Sequence, residues 1–285
     1  MSAVLITGAT GKQGGSVIRN LPAKNASFDI LAVTRNAQIK LVQGNLDNPA
    51  ALFRSAKTGS SAPIWGVYSL QAADPRNDNE RRQGLALVDE SIKQGVKFFV
   101  YSSVDRGGDA SIKNPTKVPH FVYKHGIEKH LIAKSEGTDM RWTILRPTAF
   151  FENLTPDYFG RVFATAWQMA LEGKPLQLIA TTDIGFFAAQ AFLHPEQSQG
   201  KAFSLAGDEL TYDRMATVFK QTTGSDVPNT LRIPVKLMMM AVKELGVMFK
   251  WFHDEGYGAD IEALRKLNPD LKDFGTWLKR ESGFG

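Results

Sequence analysis

The chain has no cysteine among its 285 residues. No thiolate can serve as nucleophile, metal ligand or redox sensor, and no disulfide can staple the fold. The same absence fits a reducing compartment. Long apolar runs are scarce as well. The most apolar stretch, Pro234 to Phe252, carries Lys236, Lys243, Glu244 and Lys250, too many charges for a membrane span. The first residues enter a strand without the basic and apolar regions of a signal peptide, so a cytoplasmic location is expected. One-sided charge is also missing: 34 Lys plus Arg stand against 29 Asp plus Glu, a net +5 spread along the chain with no basic block. Anionic ligands are favoured, whereas neither direct nucleic-acid binding nor a membrane partner is expected, and no helix-turn-helix, zinc-finger or RNA-binding signature is visible. What remains is 43% hydrophobic and 22% charged, enough to bury a sizeable core.

The first half alternates short β-branched runs with longer amphipathic stretches, the pattern of βαβ units and a parallel sheet. Strands are predicted at 3–7, 29–34, 39–43, 64–69, 96–103 and 142–146, and helices at 13–21, 49–56, 77–94 and 121–134. Gly95 stands where the third helix should stop. After Pro147 helices dominate, with short strands near 176–180 and 202–205 and a helical segment from Thr211 onward. Two domains are expected, 1–150 for nucleotide binding and 151–285 for substrate or partner, interleaved around one cleft. One junction conflicts with the rule that parallel neighbours need a crossover of about a dozen residues. Only Asn36, Ala37 and Gln38 separate the second and third strands, which suggests a crossover segment missing there.

The strand Val4-Leu5-Ile6 runs into GATGKQG, placing Gly8, Gly11 and Gly14 at G-x-x-G-x-x-G spacing before a helix. In that context Gly8 permits the tight turn, Gly11 lets backbone approach a pyrophosphate, and Gly14 allows close helix–sheet packing, while the helix N-terminus favours phosphate. No Lys-Ser/Thr follows, which excludes a kinase-type P-loop. The second strand ends in Thr34-Arg35-Asn36. A guanidinium there, with no acidic neighbour in sequence, favours NADP(H) over NAD(H) by pairing with the 2′-phosphate.

Together GATGKQGGSVIRNL, LAVTRN, KLVQGNLDNP, QGVKFFVYSSVDRGG, PHFVYKHGIEKHL, WTILRPTAFFEN and AGDELTYDRMATVF resemble the NmrA-like family of atypical short-chain dehydrogenase/reductases, fungal members most. The resemblance reaches to about Pro228; the Met-rich helices beyond it match more loosely. It implies a Rossmann-type doubly wound parallel sheet with a smaller, mainly helical C-terminal subdomain. It also assigns Gly8, Thr10, Gly11, Lys12, Gln13 and Gly14 to the pyrophosphate loop and Arg35 to the ribose phosphate. Asn45 and Leu46 fall beside the adenine, with Asn45 replacing a common Asp. Ser69 and Gln71 close the fourth strand near the cofactor, Ser102 and Ser103 end the fifth, and Phe150, Phe151 and Asn153 correspond to an aromatic-Glu-Asn element beside the nicotinamide.

Typical short-chain reductases carry Y-x-x-x-K, whose phenol donates a proton as hydride arrives. Here His120 replaces the tyrosine before Lys124, and Tyr123 points about 100° away from Lys124 on a helix. His120, Lys124 and Glu128 are expected to form one stripe. Two readings follow. In the family's regulatory mode the protein binds NADP(H) without efficient turnover, Lys124 contacts the nicotinamide ribose, and nucleotide occupancy is relayed to protein partners in the cytoplasm or nucleus. The alternative is an NADPH-dependent reductase of a small carbonyl, imine or quinone, with His120 as proton donor assisted by Lys124 and Ser103, since an ordinary imidazole titrates near neutral pH. His120, His125 and His130 are five apart, the wrong spacing for a one-face metal site, so no metal is expected. Asp105, Arg106, Gly107 and Gly108 read as a mobile loop over the cleft, and Arg146-Pro147 as a strand end. Met238, Met239, Met240, Met248, Phe249, Trp251 and Phe252 read as the core of a helix pair, with a lid or partner groove as the other use of such a surface.

Overall fold

The computed structural model describes residues 2–23, 28–34, 42–60, 62–72 and 77–284. In chain order its elements are β1 (Ser2–Ile6), α1 (Lys12–Ala23), β2 (Phe28–Thr34), β3 (Val42–Gln43), α2 (Pro49–Gly59), β4 (Ile64–Ser69), α3 (Asn79–Lys93) and β5 (Phe98–Ser102). They continue with α4 (Pro119–Ser135), β6 (Arg141–Pro147), β7 (Ala149–Phe150), α5 (Tyr158–Ala170), β8 (Leu176–Ile179), α6 (Thr181–Leu193), α7 (Pro195–Ser198), β9 (Lys201–Leu205) and β10 (Asp208–Leu210). The last part is helical: α8 (Tyr212–Thr223), α9 (Arg232–Ala241), α10 (Lys243–Asp254), α11 (Ile261–Leu267) and α12 (Phe274–Arg280). Among the described residues no helix is long and apolar enough to cross a membrane.

Two compact units share this chain. The first comprises Met1–Val104, Tyr123–Arg146 and Ile184–Phe203, the second Asp105–Val122, Pro147–Asp183 and Ser204–Gly285. Each is built from three segments, where sequence reading sets one boundary at residue 150.

In the first unit the strand order is β3-β2-β1-β4-β5-β6-β9, and the pairings from β3 through β6 are all parallel. This is the doubly wound Rossmann-type arrangement, whose strand order reverses between β1 and β4. Alternation along the strands decides what each face buries. Leu5, Val67 and Phe99 join Leu52, Phe53, Leu87, Val88, Ile127 and Leu131 of α2, α3 and α4 in one apolar cluster. On the sheet's other face Phe98 packs edge-on against Phe192 of α6, a ring that Trp65 also meets. The helices begin and end where backbone chemistry dictates. Asn48 caps α2 by accepting from the N–H of Ala51, with Pro49 in the first turn. At the end of α3 the N–H groups of Gln94, Gly95 and Val96 turn back onto Glu90, Ile92 and Ser91 carbonyls. β2 and β3 are parallel neighbours as predicted. The segment proposed to lack a crossover, Asn36 to Gln38, lies outside the described residues.

The second unit has a three-stranded sheet, β10-β8-β7. β7 and β10 hold only two and three residues, too few for an alternating pattern to announce them. Around the sheet, aromatic side chains build two clusters: Phe163, Trp167, Phe249, Phe252 and Trp251 in one, Phe151, Phe274 and Trp277 in the other. The segment Asp105–Gly108 is a pinned turn, not the mobile loop its glycines suggested. Asp105 is fully buried and accepts from the N–H groups of Gly107, Gly108 and Gly258 and from the hydroxyls of Ser111 and Ser204. Arg106, equally buried, donates to the carbonyls of Ser111 and Asn114.

Candidate functional site

The end of β1 is tied to the end of β4. The Thr7 hydroxyl donates to the carbonyl of Leu70 (2.9 Å) and accepts from its N–H (2.7 Å), and the Thr7 N–H donates to Tyr68 O. That knot fixes the strand-order reversal, where open α/β sheets bind their ligands. The turn that follows depends on glycine at two positions. Gly8 has φ of 65°, in the left-handed region. A Cβ on Gly14 would lie 2.4 Å from the Gly8 carbonyl oxygen and 2.8 Å from that of Thr7, both immovable backbone. Gly11 donates its N–H to Gly8 O, closing the turn, and α1 opens at Lys12 with no acidic residue in its first turn. Its N-terminal dipole therefore meets no competing carboxylate there.

Beside this turn lies a cleft of about 390 Å³, lined by Thr7, Gly8 and Thr10, by Val33 of β2, by Gly44, Asn45, Leu46 and Asp47 after β3, by Leu70 and Ala72 after β4, and by Asn79 and Gln83 of α3. The volume is that of a small-ligand site. Of the predicted site residues Gly8, Thr10, Asn45 and Leu46 line it. Asn45 accepts from the N–H of Asp47 and donates to its carboxylate. Asp47 puts an acidic group on the cleft wall. Hydrogen bonds from Gln83 (2.9 Å), Arg82 (2.5 Å) and Asn45 hold its carboxyl below the usual range. Arg35, the predicted phosphate ligand, lies outside the described residues.

Gln13, Ser69, Gln71 and Ser102 form the wall behind the turn. Gln13 Oε1 accepts from the Ser102 hydroxyl (2.7 Å) and from Tyr68 Oη (3.3 Å); burial pushes that phenol's pKa up. Gln71 donates through Nε2 to Ser69 Oγ (2.9 Å), and its buried Oε1 has no hydrogen-bond partner among the described residues. A buried amide oxygen left open costs stability. It is the kind of group a bound ligand satisfies. A glycine turn with no room for side chains, a free acceptor and an adjoining cleft together suit a dinucleotide. Gly8, Thr10, Gly11, Lys12, Gln13 and Gly14 would carry its phosphates, and Asn45 and Leu46 its base.

The expected stripe His120–Lys124–Glu128 does not act as one group. Lys124 pairs with buried Glu80 of α3 (3.1 Å), donates to the Ser102 carbonyl (3.1 Å) and lies over the Tyr101 ring. Glu128 takes the Ser103 hydroxyl and a two-pronged contact from Arg146, at 3.1 and 2.8 Å. Arg146 is thus one half of a buried ion pair besides lying at the end of β6. In the second unit His120, at the start of α4, contacts Glu244 of α10 and packs edge-on to Phe121. His130 pairs separately with Asp89, and among the described residues no cluster of His, Asp and Glu could hold a metal ion. Phe150 and Asn153 are half-buried around a short helical turn, but Phe151 is fully buried, stacked on Trp277, and serves packing. Sequence reading missed Asn79, which lines the cleft from α3, and Tyr68, Glu80, Gln83 and Glu244, each of which reaches its partner from a distant element with no local pattern to mark it.

A profile of the NmrA-like family matches residues 1–277. A similar relative is an NmrA-like family domain-containing oxidoreductase of Aspergillus hancockii, 26% identical over 247 residues that cover 78% of this chain and 72% of the relative. Among solved structures the chain is similar to the Citrobacter sp. triphenylmethane reductase complexed with NADP(H), with TM-score 0.72 and 19% identity over 97% of this chain and 98% of that one. It is also similar to the negative transcriptional regulator NmrA in complex with NADP, with TM-score 0.68 and 18% identity over 99% and 95% of the two chains. At these identities the two structures speak for the fold.

Proposed function

The chain belongs to the NmrA-like family, and from that premise we propose that it binds a nicotinamide dinucleotide in the cleft of its first unit and reports the occupancy to protein partners. The observation that carries the binding is Gly14, whose missing side chain leaves the turn beside the cleft closed down on its own backbone. NADP(H) is the preferred form in this reading, through Arg35; similar structures in complex with NADP(H), NADP and NAD support a nicotinamide dinucleotide of either kind. A bound nicotinamide supplies hydride chemistry. The residues around it decide whether that chemistry is used. Lys124 is committed to Glu80 and to the Ser102 carbonyl, and Ser103 to Glu128, which favours binding over turnover. Occupancy then acts as the signal, passed to a partner in the cytoplasm or the nucleus.

A second reading has one specific observation in its favour. His120 contacts a carboxylate, Glu244, and a carboxylate partner orients an imidazole for proton transfer. The protein is then an NADPH-dependent reductase of a small carbonyl, imine or quinone, in line with the oxidoreductase name of the Aspergillus relative. One experiment separates the readings. The purified protein is titrated with NADPH, NADP⁺, NADH and NAD⁺, then assayed for NADPH oxidation against quinones, imines and ketones beside His120→Ala. Saturable binding without turnover supports the sensor. Turnover lost in His120→Ala establishes the reductase, and failure to bind any dinucleotide overturns both.

A further inference from the structure

Helix α9 carries an apolar face that no other element among the described residues covers. Val235 points inward and is fully buried, whereas Ile233 (75% exposed), Leu237 (60%) and Met240 (74%) lie at i, i+4 and i+7, on one outward stripe. Leu231 (74%) and Val242 (43%), the residues that flank the helix, are exposed apolar positions as well. The Met-rich helix pair thus divides: α10 buries Phe249, Trp251 and Phe252 as core, and α9 turns its apolar side chains outward. The charges from Leu231 to Lys243 have one sign, and Glu244 beyond them turns to His120. Arg232, Lys236 and Lys243 are all exposed, none is in an ion pair among the described residues, and no acidic residue occurs from Leu231 to Lys243. Arg232 and Lys236 step along the flank at i, i+4.

We propose that α9 docks the protein on an anionic lipid bilayer. Its aliphatic side chains would enter the headgroup–acyl boundary while the three cations meet anionic headgroups. Long cationic side chains suit that border, because their stems lie along apolar surface while the charged ends stay in the polar layer. Two other occupants fit less well. A second copy would bring the same three cations against these. A protein partner is anchored most often by tryptophan, tyrosine and arginine in pockets, and this stripe has no aromatic side chain. The contact is peripheral and independent of nucleotide binding in the first unit.

The test is co-sedimentation of the full chain with phosphatidylcholine vesicles, with and without phosphatidylserine, beside the double variant Leu237→Glu/Met240→Glu. Binding is expected only with phosphatidylserine, should weaken as salt is raised, and should fall about tenfold or more in the variant, equivalent to about 1.4 kcal/mol. Both substituted positions are exposed, so the variant should keep the wild-type melting temperature and NADPH affinity. Absent binding, equal binding to neutral vesicles, or an unaffected variant would overturn the proposal. So would a wild-type dimer that the variant converts to monomer, or an acidic amphipathic peptide that binds α9 where vesicles do not. Absence of dinucleotide binding with vesicle binding intact would overturn both readings of the proposed function and leave the docking proposal standing.

Discussion

The glycine turn of the first unit and the α9–α10 helices of the second solve opposite problems. Around the turn the constraint is in the backbone: Gly14 has no room for a side chain, and Thr7 knots β1 to β4. On α9 the backbone is ordinary helix, and the information is carried by which side chains face out. A site built on backbone closure tolerates almost no substitution. A surface built on side-chain exposure tolerates nearly all of them as far as folding is concerned.

That contrast is sharpened first by the buried pairs. Glu128→Ala leaves Arg146 buried without its partner, and a cost of about 3–5 kcal/mol is expected by urea denaturation; Arg146→Met added to it should recover part of the loss. In the second unit Asp105→Ala removes the acceptor for three N–H groups and two hydroxyls. At about 1–3 kcal/mol for each buried group left unsatisfied, partly relieved by water, a loss of roughly 2–3 kcal/mol is expected in the same assay. Gly14→Ala tests the turn itself. The clash with backbone carbonyls should cost about 1–3 kcal/mol in stability and lower dinucleotide affinity about tenfold or more, read by titration.

Each unit also holds a phenol shielded from water, fully buried Tyr68 in the first and half-buried Tyr257 in the second, and loss of solvent raises the pKa of both above the ordinary 10.0. The unfolded chain releases these protons first, near its ordinary value, so stability should fall as pH rises above about 10. Tyr68→Phe should flatten that slope, measured as unfolding free energy against pH, and the double change with Tyr257→Phe should flatten it further. The smallest effect is expected on α9: Leu237→Glu should shift the unfolding free energy by no more than about 0.5 kcal/mol. A large loss there would mean that the stripe is core and the contrast false.

How much could be read from sequence follows the same division. GATGKQG after Val4-Leu5-Ile6 was legible because a glycine turn between strand and helix is local and every constraint lies within seven residues. The strands of the first unit were legible from β-branched runs, though of the third, expected at 39–43, only Val42 and Gln43 lie among the described residues. The expected stripe His120–Lys124–Glu128 failed because helical spacing gives neighbours on one helix, not partners across the fold. Lys124 found Glu80, Glu128 found Arg146 and Ser103, and His120 found Glu244, which is 124 positions away. The turn at Asp105 misled for a related reason. Gly107 and Gly108 suggested mobility, but their N–H groups are bound by a buried carboxylate that also reaches Gly258.

The central claim is that a nicotinamide dinucleotide occupies the cleft between the β1–α1 turn and the ends of β2, β3 and β4. Hydrogen exchange with and without NADPH tests it most directly. Protection should appear at residues 7–14, 44–47 and 70–72 and weaken in Gly14→Ala. Saturable NADPH binding that leaves those amides unprotected would contradict the account.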